Sequence, residues 1–213
     1  MVGYEVVPGF GALDTSTEWL RLEAKKPDVI YVTAYASTLV TLIKDAARLG
    51  IMERGVVLCA CTTSADEGIL RIVGKDGDGW YMPSVLPSAV EVGDIPALKT
   101  CADAARKYRN WIFEDVGMWY EVGWFDTMVA VEAVKRAIER VGYENLTGRA
   151  VRDTFASLTN VETGIWPPFS MTEEEPWGQQ EVRMYIIHEG QLWPRGEWYE
   201  APIYPVELYR KYD

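Results

Sequence analysis

The chain has 213 residues, of which 48% are hydrophobic and 25% charged, a composition typical of a folded globular protein. Its 32 Asp and Glu residues outnumber its 21 Lys and Arg residues, and the net charge of −11 argues against a nucleic acid partner because phosphate binding requires a basic surface. No apolar run approaches the length of a membrane span, and the first residues have neither the basic nor the apolar region of a secretion signal.

The first 86 residues alternate between strand and helix patterns. Short runs rich in β-branched and aromatic residues predict four strands: 4–7, 28–34, 55–61 and 79–85. Amphipathic segments between them predict helices, the first of which opens at a capping box of Thr15 and Glu18. Strands separated by helices of this length are typical of right-handed crossovers. The sequence therefore predicts an α/β fold with a parallel, doubly wound sheet covered on both sides.

The pattern becomes helical after residue 89. One helix is predicted after a cap at Asp94, and a longer one carries an apolar stripe from Phe125 to Val141. Thr147 is predicted to cap a third helix, which buries Val151, Phe155 and Leu158. In the tail, a single strand is predicted at 182–187, followed by a turn at Glu189 and Gly190.

Signatures of catalysis and metal binding are missing from the sequence. It has no nucleophile elbow, phosphate-binding loop or zinc-protease motif, and His188 is its one histidine. The cysteines, Cys59, Cys61 and Cys101, are interpreted as structural thiols, and the acidic run 173–175 as an exposed loop because its carboxylates lack the spacing of a cation-binding loop. We therefore predict a protein that is not an enzyme and that needs no cofactor or metal ion.

Two turns after predicted strands are candidate ligand contacts. The turn at 35–38 (Tyr-Ala-Ser-Thr) and the turn at 62–64 (Thr-Thr-Ser) each lie between a strand and a helix. In an open parallel sheet, such turns gather free backbone N–H groups and hydroxyls in a crevice that suits a carboxylate or another polar head group. The alternative interpretation is that these Ser and Thr residues are ordinary helix caps.

Aromatic residues at the start of the long helix form a third candidate site. Trp124 and Phe125 fall on the apolar stripe and are interpreted as core residues. Tyr120 precedes that stripe and is predicted to face a cleft.

The order of these elements resembles the type I periplasmic binding proteins, specifically the branched-chain amino acid-binding group of transporter receptors. The resemblance is carried by 6–16 (VVPGFGALDTS), 27–31 (PDVIY) and 43–50 (IKDAARLG), and further on by 120–137 and 146–152 (LTGRAVR). It covers residues 4–195 and rests on pattern more than on rare motifs.

The resemblance implies a clamshell of two α/β lobes that closes on a small solute. It assigns residues 1–88 to the second lobe, the helical segment 89–175 to the first lobe, and 176–213 to a return strand in the second lobe followed by the tail. Together with the turns described above, it predicts these ligand-binding residues: Tyr35, Ala36, Ser37, Cys61, Thr62, Thr63 and Tyr120.

The implied function is the extracytoplasmic solute-binding component of an ABC uptake transporter, which delivers an amino acid, an amide or a carboxylate to a membrane permease. A ligand-sensing regulator with the same fold is the alternative. The N-terminal half of the family fold has no counterpart in this sequence, so a truncated protein is expected. An exposed sheet edge is then expected to favour self-association.

Overall fold

A computed structural model describes residues 1–64, 66–172, 178 and 181–201 of the chain. The α-helices are α1 Ser16–Glu23, α2 Ala36–Arg48, α3 Glu67–Val73, α4 Pro96–Arg109, α5 Phe113–Val141 and α6 Gly148–Phe155. The strands are β1 Val29–Val32, β2 Val57–Ala60, β3 Tyr81–Ser84, β4 Ser157–Val161, β5 Phe169–Thr172, β6 Glu181–His188 and β7 Gln191–Glu200. Among the described helices, none is both long and apolar enough to cross a membrane.

Five strands form one mixed sheet in the order β1-β2-β3-β6-β7. The strands β1, β2 and β3 are parallel, and helices lie between them in sequence, which confirms the predicted α/β class with its parallel strands. The strand predicted at 182–187 forms as β6 and pairs antiparallel with β3. The sequence analysis did not predict β7, which pairs antiparallel with β6 through the turn at Glu189 and Gly190.

One face of this sheet forms the main core. Ile30 pairs with Leu58 across β1 and β2, and Met82 pairs with Tyr185 across β3 and β6, so all four side chains share a face. All four are buried, together with Leu39 and other apolar residues of α2 and α3. Burial of these side chains is the main source of stability for this part of the chain, at about 25 cal/mol per Å² of apolar surface.

The opposite face of the sheet is largely open at β1 and β2. Val29, Tyr31 and Val57 have exposed fractions of 57%, 59% and 43%, and Trp193 at the β7 end has 44%. Register places Val29 beside Val57 and Tyr31 beside Cys59, so these residues share a face. Helices α1, α2 and α3 contribute to the core on the other face. The prediction that the sheet is covered on both sides therefore does not hold at β1 and β2, where apolar side chains face solvent.

A smaller core lies between α5 and the β4-β5 pair. It contains Phe125, Val129 and Phe169. Phe125 is buried, in agreement with its interpretation as a core residue. Leu158 is also buried there, but the prediction that it belongs to the helix capped by Thr147 is wrong, because α6 ends at Phe155 and Leu158 lies in β4.

Three local predictions need correction. The apolar run at 4–7 does not form a strand. The capping box at the start of α1 is absent, because the Thr15 hydroxyl donates to the Asp45 carboxylate of α2 instead, at 2.9 Å. At the start of α4 the capping position is occupied by Ile95 rather than Asp94. The predicted cap at Thr147 is confirmed, since its hydroxyl accepts the Ala150 N–H.

The acidic run 173–175 lies outside the described residues, as does the tail from 202 to 213.

Helix α5 bends at Gly117, where the backbone adopts φ 34° and ψ −131°. This conformation lies in a region that favours glycine. A Cβ atom at this position would also collide with the Glu67 carboxylate of α3. Gly117 therefore allows α3 and α5 to pack closely at the point where the segment of parallel strands meets the helical segment.

Candidate functional site

The first candidate turn joins β1 to α2. Tyr35 is the N-cap residue of α2, with an extended backbone, and its side chain makes no capping hydrogen bond. The first N–H groups of the helix therefore lack the side-chain acceptor that an N-cap residue usually supplies. The free N–H groups and the helix dipole make this N-terminus attractive to an anion.

Loop 8–12 lies against this turn and positions its aromatic ring. The Thr38 hydroxyl lies 3.1 Å from the carbonyl oxygens of both Pro8 and Gly9, to which it can donate. This contact brings Phe10 onto Tyr35, with ring centroids 4.7 Å apart and planes only 9° from parallel. Tyr35 nevertheless remains 57% exposed, so a flat aromatic surface with a hydroxyl tip is accessible beside the helix start.

The second candidate turn follows β2 and contains a network of thiol and hydroxyl groups. The Cys61 Sγ lies 3.0 Å from the Thr63 Oγ1 and 3.2 Å from the Ser64 Oγ. Burial raises the pKa of the Cys61 thiol, but its hydrogen bonds with the side chains of Ser64 and Thr63 and with backbone groups outweigh burial, so the pKa lies below its ordinary value. Cys61 is buried, Thr62 half-buried and Thr63 exposed. The turn thus offers polar groups above a buried thiol.

A buried hydrogen bond connects the two turns. The Ser64 hydroxyl donates to the Ala34 carbonyl oxygen at 2.8 Å, and Ser64 is fully buried. Because β1 and β2 are adjacent and parallel, the residues that follow them meet at one edge of the sheet. The structure therefore brings together the Tyr35–Ser37 turn and the Cys61–Thr63 turn.

Asp66 extends this site toward helix α5. One oxygen of its carboxylate caps α3 by accepting the N–H groups of Gly68 and Ile69, at 3.0 and 3.4 Å. The other oxygen accepts the indole N–H of Trp119 at 3.0 Å. Trp119 precedes Tyr120, so the turn after β2 is tied to the helix that carries the third predicted contact residue.

Tyr120 lies in a groove on α5 rather than against the two turns. Its ring contacts Trp111 edge-on and stacks on Trp124, with centroids 5.9 and 6.4 Å away. The groove has a volume of about 780 Å³, and its lining includes Asp66, Trp119 and Tyr120. The residues of the two turns, 35–37 and 61–63, do not line it. Asp66 and Trp119 therefore connect the groove to the turns.

Buried carboxylates lie behind the site. Burial raises the pKa of Glu67 to about 7, although its Oε1 accepts the Ala89 N–H at 2.7 Å. Burial, together with the nearby Glu67 and Glu91, raises the pKa of Glu121 well above its ordinary value, and the Oε1 of Glu121 has no hydrogen-bond partner among the described residues. Glu91 is paired with Arg183 at 2.8 Å. The raised pKa values mean that burial favours the neutral forms of Glu67 and Glu121 at the junction between α3 and α5.

The interpretation of the hydroxyls as helix caps does not hold for Thr38 and Ser64, because both donate to carbonyl groups outside the helices and strands. Asp66 was overlooked in the sequence analysis, although an acidic residue just before the apolar run of α3 is a typical N-cap signal. Among the described residues, no group of three or more His, Cys, Asp or Glu side chains is arranged to hold a metal ion.

A family model described as periplasmic binding protein matches residues 1–189. The chain belongs to this family. No curated protein matches the sequence.

Solved structures of ABC transporter proteins share the fold of this periplasmic binding protein. A branched-chain amino acid ABC transporter protein from Thermus thermophilus with bound valine is 21% identical, with a TM-score of 0.81, and the match covers 97% of this chain and 53% of that one. A solute-binding protein from R. palustris in complex with 4-hydroxybenzoate is 18% identical, with a TM-score of 0.70, and the match covers 94% and 52%. A leucine-binding protein from Thermotoga maritima is 16% identical, with a TM-score of 0.69, and the match covers 90% and 50%. This periplasmic binding protein thus spans about half the length of these structures.

Proposed function

We propose that this chain forms part of an extracytoplasmic solute-binding protein of an ABC uptake transporter, which binds a small polar molecule carrying a carboxylate or amide group and delivers it to a membrane permease. The protein acts by binding and catalyses no reaction. The observation that carries this proposal is the N-terminus of α2, which has no side-chain cap, beside the Cys61–Ser64 turn and next to the exposed ring of Tyr35.

The chemistry of this edge fits such a ligand. Free N–H groups at the start of a 13-residue helix attract a carboxylate. The hydroxyl of Thr63 and the exposed Ser37 can hydrogen-bond an amide or an ammonium, and the Tyr35 ring covers an apolar side chain. The family match, and the valine and 4-hydroxybenzoate named for two of the solved structures, support small carboxylates as the ligand class.

In this proposal the ligand joins two lobes. Residues 1–88 and the strands after 176 belong to one lobe, and the helical segment 89–175 belongs to the other. Tyr120 then contacts the ligand from the second side as the lobes close. The link between Asp66 and Trp119 supports this arrangement, because it joins the two segments next to the turn. Binding shifts an open-to-closed equilibrium, and the permease recognises the closed form.

The test is a thermal-shift and calorimetric titration of the chain with valine, a simple aliphatic amide and 4-hydroxybenzoate. A ligand present at 100 times its Kd is expected to stabilise the folded state by about 2.7 kcal/mol. The Tyr35→Ala variant is expected to weaken binding at least tenfold, which corresponds to about 1.4 kcal/mol.

Tyr143→Ala provides the matched control. Tyr143 is also an exposed tyrosine, at 73%, but it lies after α5 and away from the two turns. Its replacement is expected to leave the affinity unchanged. The proposal fails if none of the three compounds raises the melting temperature, or if Tyr35→Ala and Tyr143→Ala bind equally well.

A further inference from the structure

Two acidic side chains are buried where helix α3 packs against helix α5. Glu67 is the first residue of α3 and is 6% exposed, and Glu121 in α5 is 1% exposed. Gly117 lies one turn before Glu121, and because it has no side chain, the Glu67 carboxyl group lies directly against the α5 backbone. We call Glu67 and Glu121 the acid pair. The acid pair lies at the junction between the segment of parallel strands and the helical segment.

Neither member of the acid pair has a cation to balance a negative charge. Among the described residues, no ion pair includes Glu67 or Glu121. The Oε1 atom of Glu67 accepts the Ala89 N–H at 2.7 Å, and the Oε1 atom of Glu121 has no hydrogen-bond partner in the described part of the chain. A charged carboxylate is costly to bury without a cation, so the protonated, neutral form is favoured. The observed packing of α3 on α5 therefore fits two neutral carboxyl groups.

The charges around Glu67 are mostly negative. Burial raises its pKa to about 7, despite a backbone hydrogen bond that opposes the rise. The charges that act on Glu67 lie at α3 and at the start of α5: Asp66 and Glu114 raise the pKa, and Arg71 lowers it. Arg71 also forms an ion pair with Asp115, so its charge is shared with a second acid.

Glu121 faces other acids and a thiol. Burial raises its pKa well above the ordinary value, and the charges of Glu67 and Glu91 raise it further. Glu91 is itself paired with Arg183 at 2.8 Å. From α4, Cys101 lies near Glu121, and burial together with the charge of Glu121 raises the pKa of this thiol to about 12, so the thiol stays neutral. Ionisation of either member of the acid pair thus places a charge in surroundings that favour neutral groups.

Polar bonds at the rim join the same two helices. The Trp119 indole N–H donates to Asp66 at 3.0 Å, and Arg71 pairs with Asp115. Trp119, Arg71 and Asp115 are exposed, and bonds between exposed groups contribute little because water competes for them. The rim bonds are therefore too weak to keep the helices together once the acid pair becomes charged.

We propose that the acid pair makes the contact between α3 and α5 depend on pH. The helices pack closely while both carboxyl groups are protonated. At higher pH water enters the contact, both groups ionise and the helices separate. Opening the contact hydrates the carboxyl groups and restores their ordinary acidity, so each opening event releases up to two protons.

The direction of the pH dependence follows from where the protons are held. The closed contact holds protons that the open contact has lost, so raising the pH favours the open contact. For Glu67 this shift occupies the window from its ordinary pKa of 4.5 to about 7.

Separation of these helices also moves parts of the candidate site apart. Helix α3 follows the Cys61–Ser64 turn, and α5 carries Tyr120. In the two-lobed protein proposed above, the acid pair would make closure on a ligand more favourable at low pH than at high pH. This consequence rests on the proposed function, whereas the contact between α3 and α5 does not.

A distance measurement between two spin labels tests the proposal on the chain without ligand. The labels are attached to unnatural ketone side chains at Ile72 in α3 and Glu139 in α5, which are exposed positions, so the native cysteines stay unmodified. Between about pH 5 and about pH 8 the distance is expected to lengthen by at least about 3 Å, the width of one water molecule. Circular dichroism at both pH values checks that the chain stays folded.

Variants of the acid pair test its role in the opening. Glu67→Gln and Glu121→Gln each remove one titrating group, so the open population is expected to rise with pH with the steepness of one proton rather than two. The double variant is expected to keep the low-pH distance at about pH 8. Glu144→Gln is the matched control, because Glu144 is an exposed glutamate after α5, and it is expected to respond to pH as the parent does.

Three results overturn the proposal. In the first, the distance in the parent stays the same from about pH 5 to about pH 8, a result that needs no variant. In the second, the double variant responds to pH as strongly as the parent does. In the third, the helical signal in circular dichroism disappears together with the change in distance, which indicates unfolding of the whole chain. None of these results involves a ligand at Tyr35, so the two proposals fail independently.

Discussion

The Ser64 hydroxyl donates a 2.8 Å hydrogen bond to the carbonyl oxygen of Ala34, and this bond holds the turn after β2 against the turn after β1. Ser64 is fully buried, so water cannot replace the bond. A buried side chain therefore adds to the pairing of β1 and β2 in fixing the spacing between the two halves of the candidate site.

Ser64→Ala is expected to destabilise the fold by about 1–3 kcal/mol, because the buried Ala34 carbonyl group loses its donor. Urea denaturation measures this change. Ser37→Ala is the control: Ser37 is exposed, and its replacement is expected to stay within about 0.5 kcal/mol of the parent. Equal stabilities for the two variants would show that the bond does not hold the turns.

Gly117→Ala is expected to lower the free energy of unfolding by more than about 2 kcal/mol, because the new Cβ is strained by the backbone and collides with Glu67. Gly123→Ala, in the same helix, has open space at its Cβ position and is expected to stabilise the protein by up to about 1 kcal/mol. Thermal unfolding of both variants tests the bend in α5, because the two substitutions are expected to change the free energy of unfolding in opposite directions. A neutral Gly117→Ala would contradict it.

Glu67 is expected to make stability depend on pH. Its pKa is raised to about 7 in the folded protein, above the ordinary value of 4.5, so the folded state holds a proton that the unfolded state has lost. Stability from this group is fully present below pH 4.5 and falls as the pH rises toward about 7, by on the order of 3 kcal/mol. Glu67→Gln keeps an acceptor for the Ala89 N–H and removes the titration.

The difference in unfolding free energy between the parent and Glu67→Gln isolates this effect from that of other groups. The difference is expected to change through the window from pH 4.5 to 7 and to level off above it. A difference that stays constant with pH would mean that Glu67 titrates normally.

Thr15→Val is expected to destabilise the protein by about 1–3 kcal/mol, because the Asp45 carboxylate loses a hydrogen bond in a buried position. Thr15→Ser keeps the hydroxyl and is expected to remain within about 1 kcal/mol of the parent. Chemical denaturation of both variants checks this prediction. If the two variants unfold at the same denaturant concentration, the hydroxyl does not join α1 to α2.

Periodicity predicted the parallel strands and their helices because each repeats a simple burial pattern. It failed for β7, where Pro194 and Gly196 indicated a break in structure. A proline is compatible with an edge strand when its missing N–H would face solvent, and β7 is such a strand. Whether a strand lies at the edge of a sheet depends on tertiary structure, which local sequence does not encode.

The sequence likewise predicted some features of the candidate site and missed others. The alternation of strands and helices predicted that the turns of Tyr35 and Thr62 would meet, and the structure places them together. The bond from Ser64 to Ala34 and the contact between Asp66 and Trp119 span 30 and 53 residues, so no local pattern could reveal them. The hydroxyl of Thr15 was misassigned for the same reason, since its partner Asp45 is distant in sequence.

The two margins of the sheet differ in a way that limits assembly. The β7 margin carries Pro194 and the charged Arg195, Glu197 and Glu200, features that discourage pairing with another chain. The β1 margin, Val-Ile-Tyr-Val, carries neither a proline nor a charge. Backbone pairing with another polypeptide is therefore opposed at the β7 margin and unopposed at the β1 margin.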